Sequence, residues 1–328
     1  MMTPRALLTV GLFFLAGPAA CGPRPHSEGV PDLVLERIIP LNGVAGRIDH
    51  LAVDIQGKRL FVAELGNGSV EAIDFTRGAS LGRISGLKTP QGVAYLPARD
   101  EVVVANGGDG SVRFYRSADL APEGMIAVGP DADNLRVDTS GRVVAGFGGG
   151  ALAVINPVNK TVGAKLLLPA HPEGFWLDGD RVFVNLPDAR RIIVGDLGAG
   201  RILASWPAAP LWNFPMAEDA TTGSLAIVYR IPPRLQLRDA ATGAVTLSRS
   251  TCGDADDVMI DTFRHRIYVI CGYGVVDVFD QRRGDRLFRI NTRPGARTGV
   301  FVPAWDRLIV AARAGHDKAA LLVFRPQP

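Results

Sequence analysis

Between Leu51 and Phe75 the chain alternates short apolar runs with polar breaks: Leu51–Val53, Leu60–Ala63 and Val70–Phe75 are separated by Gln56–Lys58 and by the Gly-Asn-Gly-Ser stretch 66–69. Runs this short, alternating or β-branched and punctuated by Gly, Asn and Asp, predict strands joined by tight turns. One such unit cannot bury both of its faces and needs neighbours of its own kind. They are present. With Asp54 as a marker, the corresponding positions are Leu96, Asp138, Asp178, Asp219, Asp261 and Pro303, at steps of 40 to 42 residues. That is the period of a four-stranded propeller blade. Two copies agree even in side chains: GPDADNLRVD (129–138) and CGDADDVMID (252–261). No interval between markers has room for a crossover helix, which excludes a layered α/β domain.

The expected fold is therefore all-β, a seven-bladed β-propeller over residues 33–328, with blades near 46–87, 88–130, 131–170, 171–209, 210–251, 252–293 and 294–328. The last repeat supplies only three strands: Gly299–Val302, Leu308–Ala312 and Ala320–Phe324. The run Leu33–Leu41 has no hairpin partner nearby. The N-terminal strand should complete the last blade as its outer strand, closing the ring and removing open sheet edges.

Composition changes the picture in two places. The net charge of +3 is spread over scattered Arg residues rather than a basic stripe, so nucleic acid is not an expected partner. Residues 1–20 have a positive n-region at Arg5 and an apolar run over 6–17, too short to span a bilayer, and read as an export signal. Cys21 follows Ala19-Ala20 as in a bacterial lipobox, although Pro18 stands where Leu is usual; lipidation and ordinary secretion are both open. The expected place is the periplasm or an outer-membrane-anchored lipoprotein, with the membrane touched only through that anchor. Residues 21–32 are Pro/Gly-rich and polar, a flexible tether. The domain is read as a monomer.

Familiar chemical motifs are absent. Gly146–Ala151 (GFGGGA) lies between two strands and offers no helix N-terminus to a pyrophosphate, so it reads as a hairpin turn. There is no HExxH, CxxC or CxxCH. Cys252 and Cys271 fall at ends of paired strands on one side of blade six, and an exported protein meets an oxidising compartment. A disulfide and two separate buried thiols both fit. Trp176, Trp206, Trp212 and Trp305 are expected to pack in the core or between blades.

The innermost strands of a propeller start at one face beside the central channel, so one fixed offset before the marker forms a ring. Five positions before it stand Asp49, Gln91, Asp133, Glu173, Phe214 (beside Asn213), Asp256 and Thr298 (beside Arg297). One further on are His50, Gly92, Asn134, Gly174, Pro215, Asp257 and Gly299. Converging carboxylates repel unless a cation, a donor-rich ligand or Arg297 neutralises them. Oxygen ligands from Asp133, Glu173 and Asp256 would suit Ca²⁺ or Mg²⁺. The bland reading is that such Asp residues bond backbone N–H groups between blades. If the ring is only self-repelling, replacing Asp133 and Asp256 by Asn raises stability.

The segments GRIDHLAVDIQGKRLFVAELGNGSVEAID (46–74) and PQGVAYLPARDEVVVANGGDGSV (90–112) resemble the YVTN family of bacterial seven-bladed propellers. Val102–Asn106 (VVVAN) stands for its name-giving strand, with Phe61–Glu64 and Val182–Asn185 as looser versions, and the likeness runs over residues 33–325. It implies architecture more than activity. Similar propellers are surface or periplasmic binding proteins and subunits of quinoprotein dehydrogenases; related ones include metal-dependent lactonases and streptogramin lyases. The lactonase metal is held by Glu, Asn and Asp, and Glu173 in PEGFWLD is similar to its motif, but no complete ligand set matches. The leading expectation is thus a non-catalytic propeller that binds a protein or small ligand at the channel mouth. The alternatives are a divalent-metal lactonase or lyase using His50 as acid/base, and an accessory subunit of a periplasmic redox system.

Overall fold

The structure, a computed structural model, describes residues 33–219 and 221–327. The expected export signal, the expected tether and Cys21 lie outside those residues. Seven four-stranded antiparallel sheets make the blades. In blade 1 the strands run outward from the channel as Leu51–Asp54, Arg59–Glu64, Ser69–Asp74 and Ala79–Ser85. The innermost strands of the other blades are Pro90–Leu96, Leu135–Val137, Phe175–Asp178, Leu211–Asp219, Ala255–Asp261 and Thr298–Val302. Blade 7 continues through Arg307–Ala312 and Ala320–Pro326 to Leu33–Pro40, so the N-terminal strand is its outermost member, as expected.

The repeated marker Asp has a local cause. Asp54 Oδ1 accepts the Gly57 N–H at 3.0 Å, Asp138 Oδ1 that of Ser140 at 2.9 Å, and Asp219 Oδ1 that of Thr221 at 2.9 Å. Each closes the turn from first to second strand, which Asp does well because its short carboxylate reaches the backbone two or three residues on. The marker is a turn former, and it sits at the end of the strand away from the ring of carboxylates.

Packing is between blades rather than within them. The buried apolar residues fall into seven clusters, each drawn from two consecutive blades, and the cluster joining blades 7 and 1 includes Ile39, Leu41, Leu60 and Ile309. Each blade thus buries its second face only by having a neighbour. Trp305 stacks on Phe75 across that same interface, ring centroids 4.4 Å apart, and Trp206 packs near Phe183 at 6.0 Å. Trp176 also packs against the core between blades 4 and 5 while lining the channel, and only Trp212, which is exposed, departs from the expectation. Cys252 and Cys271 form a disulfide, tying the segment just before the first strand of blade 6 to the end of its second.

Candidate functional site

Glycines let the inner strands crowd together where they begin. A Cβ on Gly92 would lie 2.1 Å from the Asp133 carbonyl oxygen, and one on Gly174 would lie 2.5 Å from that of Phe214. Gly174 N–H instead donates to the Phe214 carbonyl of the next blade at 3.1 Å. This close approach brings side chains from neighbouring blades together at the channel mouth.

The carboxylates there are met by arginines. Asp256 lies between Arg230, whose Nη2 is 2.5 Å from Oδ1, and Arg297, whose Nε is 2.8 Å from Oδ2. Arg230 also donates to the Ala255 carbonyl at 2.9 Å and stacks over the Phe214 ring at 3.7 Å. Arg297 Nη1 reaches Asp254 Oδ1 at 3.1 Å. Arg47 Nη2 sits 3.0 Å from Asp49 and 3.9 Å from Asp256. His50 bridges two carboxylates, with Nε2 3.8 Å from Asp49 and Nδ1 3.9 Å from Asp257. Asp257 in turn accepts the Gly299 N–H of blade 7 at 2.8 Å, the inter-blade backbone bond that the bland reading assigns to such residues.

Across the mouth a second group converges. One ligand atom each from Asp133, His171 and Glu173 lies within 4.8 Å of the other two. His171 Nδ1 is 2.7 Å from the Gly148 carbonyl, its Nε2 is 3.7 Å from Asp133, and Asp131 lies 3.7 Å from Nδ1. The Glu173 side chain has neither a hydrogen bond nor an ion pair among the described residues. Burial, and then repulsion by Asp133, push its carboxyl up to about 8. Burial opposes the charge on His171, but Asp133, Gly148 and Glu173 outweigh it and raise the imidazole to about 9. His50 behaves alike: Asp257 and Asp49 overcome burial and lift it to about 9. Asp49, buried more deeply than His50 and Arg47 can offset, is raised to about 6.

Of the residues expected from sequence, Asp49, His50, Asp133, Glu173, Asp256, Asp257 and Arg297 belong to these two groups. Asn134 is buried beneath them and lines a void of about 20 Å³ with His50, Glu173, Asp256 and Asp257. That void is about the size of one water. Gln91 stays at the rim, donating to Asp131 at 3.3 Å. Asn213 does not join them. It is fully buried and donates to Asn185 and to the Arg191 carbonyl, both at 3.0 Å, while Phe214 takes the place at the mouth. The expected metal set of Asp133, Glu173 and Asp256 also changes: the arginines hold Asp256, and His171 completes the three-residue group instead.

Residues missed by the sequence reading divide by cause. Arg47, Asp131, His171 and Asp254 all stand seven before the marker, so one more offset would have found them. Arg230 is the penultimate residue of the second strand of blade 5, Ser224–Ile231, and no count along first strands reaches it.

The raised proton affinities carry a pH prediction. A carboxyl raised on folding keeps its proton after the unfolded chain has lost it, and an imidazole raised to about 9 does the same above its ordinary 6.5. In both cases the folded state binds more protons, so stability falls as pH rises. Retaining one net proton from pH 7 to 9 corresponds to a loss of about 2.7 kcal/mol. Chemical denaturation of the metal-free chain at pH 6, 7, 8 and 9 should show that decline, and His171→Gln should flatten part of it. A flat or rising profile would mean the mouth does not hold these protons.

No protein-family model matches the chain, and no curated protein sequence does. Among solved structures, the chain is similar to Kuenenia stuttgartiensis hydrazine synthase, with a TM-score of 0.73 over 87% of this chain and 98% of that one, at 14% identity. At that identity the likeness is one of fold, and the fold it supports is the β-propeller.

Proposed function

We propose that this chain is an exported binding propeller of YVTN type. It holds a small ligand at the channel mouth through Asp133, His171 and Glu173, and has no chemistry of its own. The supporting observation is the convergence of one ligand atom from each of these residues within 4.8 Å, with the Glu173 side chain in no hydrogen bond or ion pair among the described residues. A divalent cation is the simplest occupant, directly or as a bridge to a ligand. Two carboxylates and an imidazole suit Mn²⁺ or Zn²⁺ better than the Ca²⁺ or Mg²⁺ that an all-oxygen set would favour.

Calorimetric titration of the full chain with Mn²⁺ and Zn²⁺, alongside melting in EDTA, tests this. Binding should tighten as pH rises from 6 toward 9, because the ion must displace protons from Glu173 and His171. At about 100 times its dissociation constant the ion should stabilise the fold by about 2.7 kcal/mol. Glu173→Gln and His171→Ala should each weaken binding about tenfold or more. No heat and no shift with either ion would retire the site.

The enzyme reading, lactonase- or lyase-type, draws on one observation: two groups of perturbed proton affinity share a concave site, as catalytic groups often do. His50 suits that reading poorly. Both ring nitrogens face carboxylates, and with a pKa of about 9 it is an imidazolium at neutral pH, able to donate a proton but not to take one. The redox-accessory reading draws only on a likeness of fold, which carries no activity.

A further inference from the structure

Beyond the charged mouth the same channel widens into a cavity of about 450 Å³, reaching toward the marker end of the inner strands. Most of its lining residues have apolar side chains, Trp176, Met216, Met259, Ile260, Val300 and Phe301 among them, while polar and apolar atoms share the cavity surface about equally. That volume is within the range of pockets that take drug-sized molecules. Four charged or ionisable side chains besides Tyr95 reach this space: His50, Asp257, Glu218 and Arg136. Tyr95 gives its hydroxyl to Asp100 at 2.9 Å. His50 and Asp257 face each other, and Glu218 interacts with Trp176, Asp178 and Arg181.

Arg136 is different. No carboxylate lies within ion-pair distance of it among the described residues. Its Nη1 donates to the Leu135 carbonyl at 2.8 Å and lies 3.5 Å from Asn134 Oδ1, and the guanidinium is 5.4 Å from the Phe175 ring. A guanidinium carries five N–H donors in a fork that matches a carboxylate. Burial works against its charge more than the more distant Asp257 and Asp133 support it. At the corresponding position the other blades carry Ala52, Ala94, Trp176, Ala217, Met259 and Phe301, so Arg136 is a single cation in an otherwise apolar ring. Arg136 is half-buried, and leaving such a charge without a partner carries a desolvation cost that a bound counter-charge offsets.

We propose that this half of the channel is a second site, for a carboxylate with an apolar body: the carboxylate meets the Arg136 guanidinium, and the body lies against Trp176, Met216, Met259 and Phe301. The site does not depend on a cation at the mouth, since it uses none of Asp133, His171 and Glu173.

The test is titration of the full chain with biphenyl-4-carboxylate and with its neutral analogue biphenyl-4-methanol, followed by calorimetry and tryptophan fluorescence. The carboxylate should bind about tenfold or more tightly than the alcohol, the difference expected of a charge-assisted pair. Arg136→Met should remove that preference and leave the alcohol's affinity in place, and Trp176→Ala should weaken both. Glu173→Gln should change neither, which separates this site from the cation site. Equal binding of the two probes, no binding of either at millimolar concentration, or an unaltered preference in Arg136→Met would overturn the proposal. Should Arg136→Met fail to melt cooperatively, the comparison of the two probes on the unmodified chain decides alone.

Discussion

A chain lacking residues 33–41 should lose the cooperative unfolding transition of the full chain or melt at least about 10 °C lower. Leu33–Pro40 pairs antiparallel with Ala320–Pro326, from Leu33 opposite Pro326 to Pro40 opposite Ala320. It also enters two inter-blade cores. Leu33 is 2% exposed in the core between blades 6 and 7, and Ile39 and Leu41 are each 1% exposed between blades 7 and 1. Burying three such side chains contributes about 1.5–3 kcal/mol each, a total comparable with the whole net stability of a domain. Arg37 reaches across to the Phe75 and Thr76 carbonyls of blade 1, and Glu36 pairs with Arg307. The deletion would also leave Ala320–Pro326 as an open edge, which invites association. Circular dichroism melts are the measurement, with Ile39→Ala as the milder probe, expected to cost about 2–5 kcal/mol. Adding residues 33–41 back as a peptide should restore part of the transition. An unchanged melt in the deletion would show that the ring does not depend on this strand.

That strand was legible before any coordinates, because the fold is written as a period. Seven copies with one strand missing at the end and one spare at the start leave a single economical closure. The candidate site was legible to the extent that it obeys the same period. Asp49, Asp133, Glu173 and Asp256 share an offset, and their strands do start at one face. In blade 5, which has a register shift between Asn213 and Met216, the count gives Phe214, and Phe214 does underlie Arg230 at the mouth, whereas its polar neighbour Asn213 turns into the core. Counting fails for groups on second strands, which explains why Arg230 was invisible. Nor could it distinguish a carboxylate held by two guanidinium groups from one left open, since Asp256 and Glu173 occupy equivalent positions and differ only in what the neighbouring blades send toward them.

That difference inverts the expected effect of neutralising the ring. Asp256→Asn should lower stability by about 3–5 kcal/mol, the cost of breaking a buried charge pair from one side. The side chains of Asp256, Arg230 and Arg297 are only 12%, 15% and 21% exposed, so the figure for buried rather than surface pairs applies. Removing the carboxylate leaves Arg230 and Arg297 facing each other, with Asp254 as their remaining shared acid and Arg47 nearby. An amide offers one oxygen where two guanidinium groups each had their own, and turns N–H donors toward the second. Asp133→Asn should behave otherwise. It loses an interaction with His171 at 3.7 Å but relieves the repulsion that raises Glu173, so its effect on stability should stay within about 1 kcal/mol. The ranking should reverse for cation binding: Asp133→Asn abolishes it, whereas folded Asp256→Asn retains it. Denaturant melts of the two variants, each with and without Mn²⁺ or Zn²⁺, give all four numbers. If Asp256→Asn proved as stable as the unmodified chain, the arginines would not be what holds the ring together. Mutual repulsion among its carboxylates would then be the dominant force at the mouth.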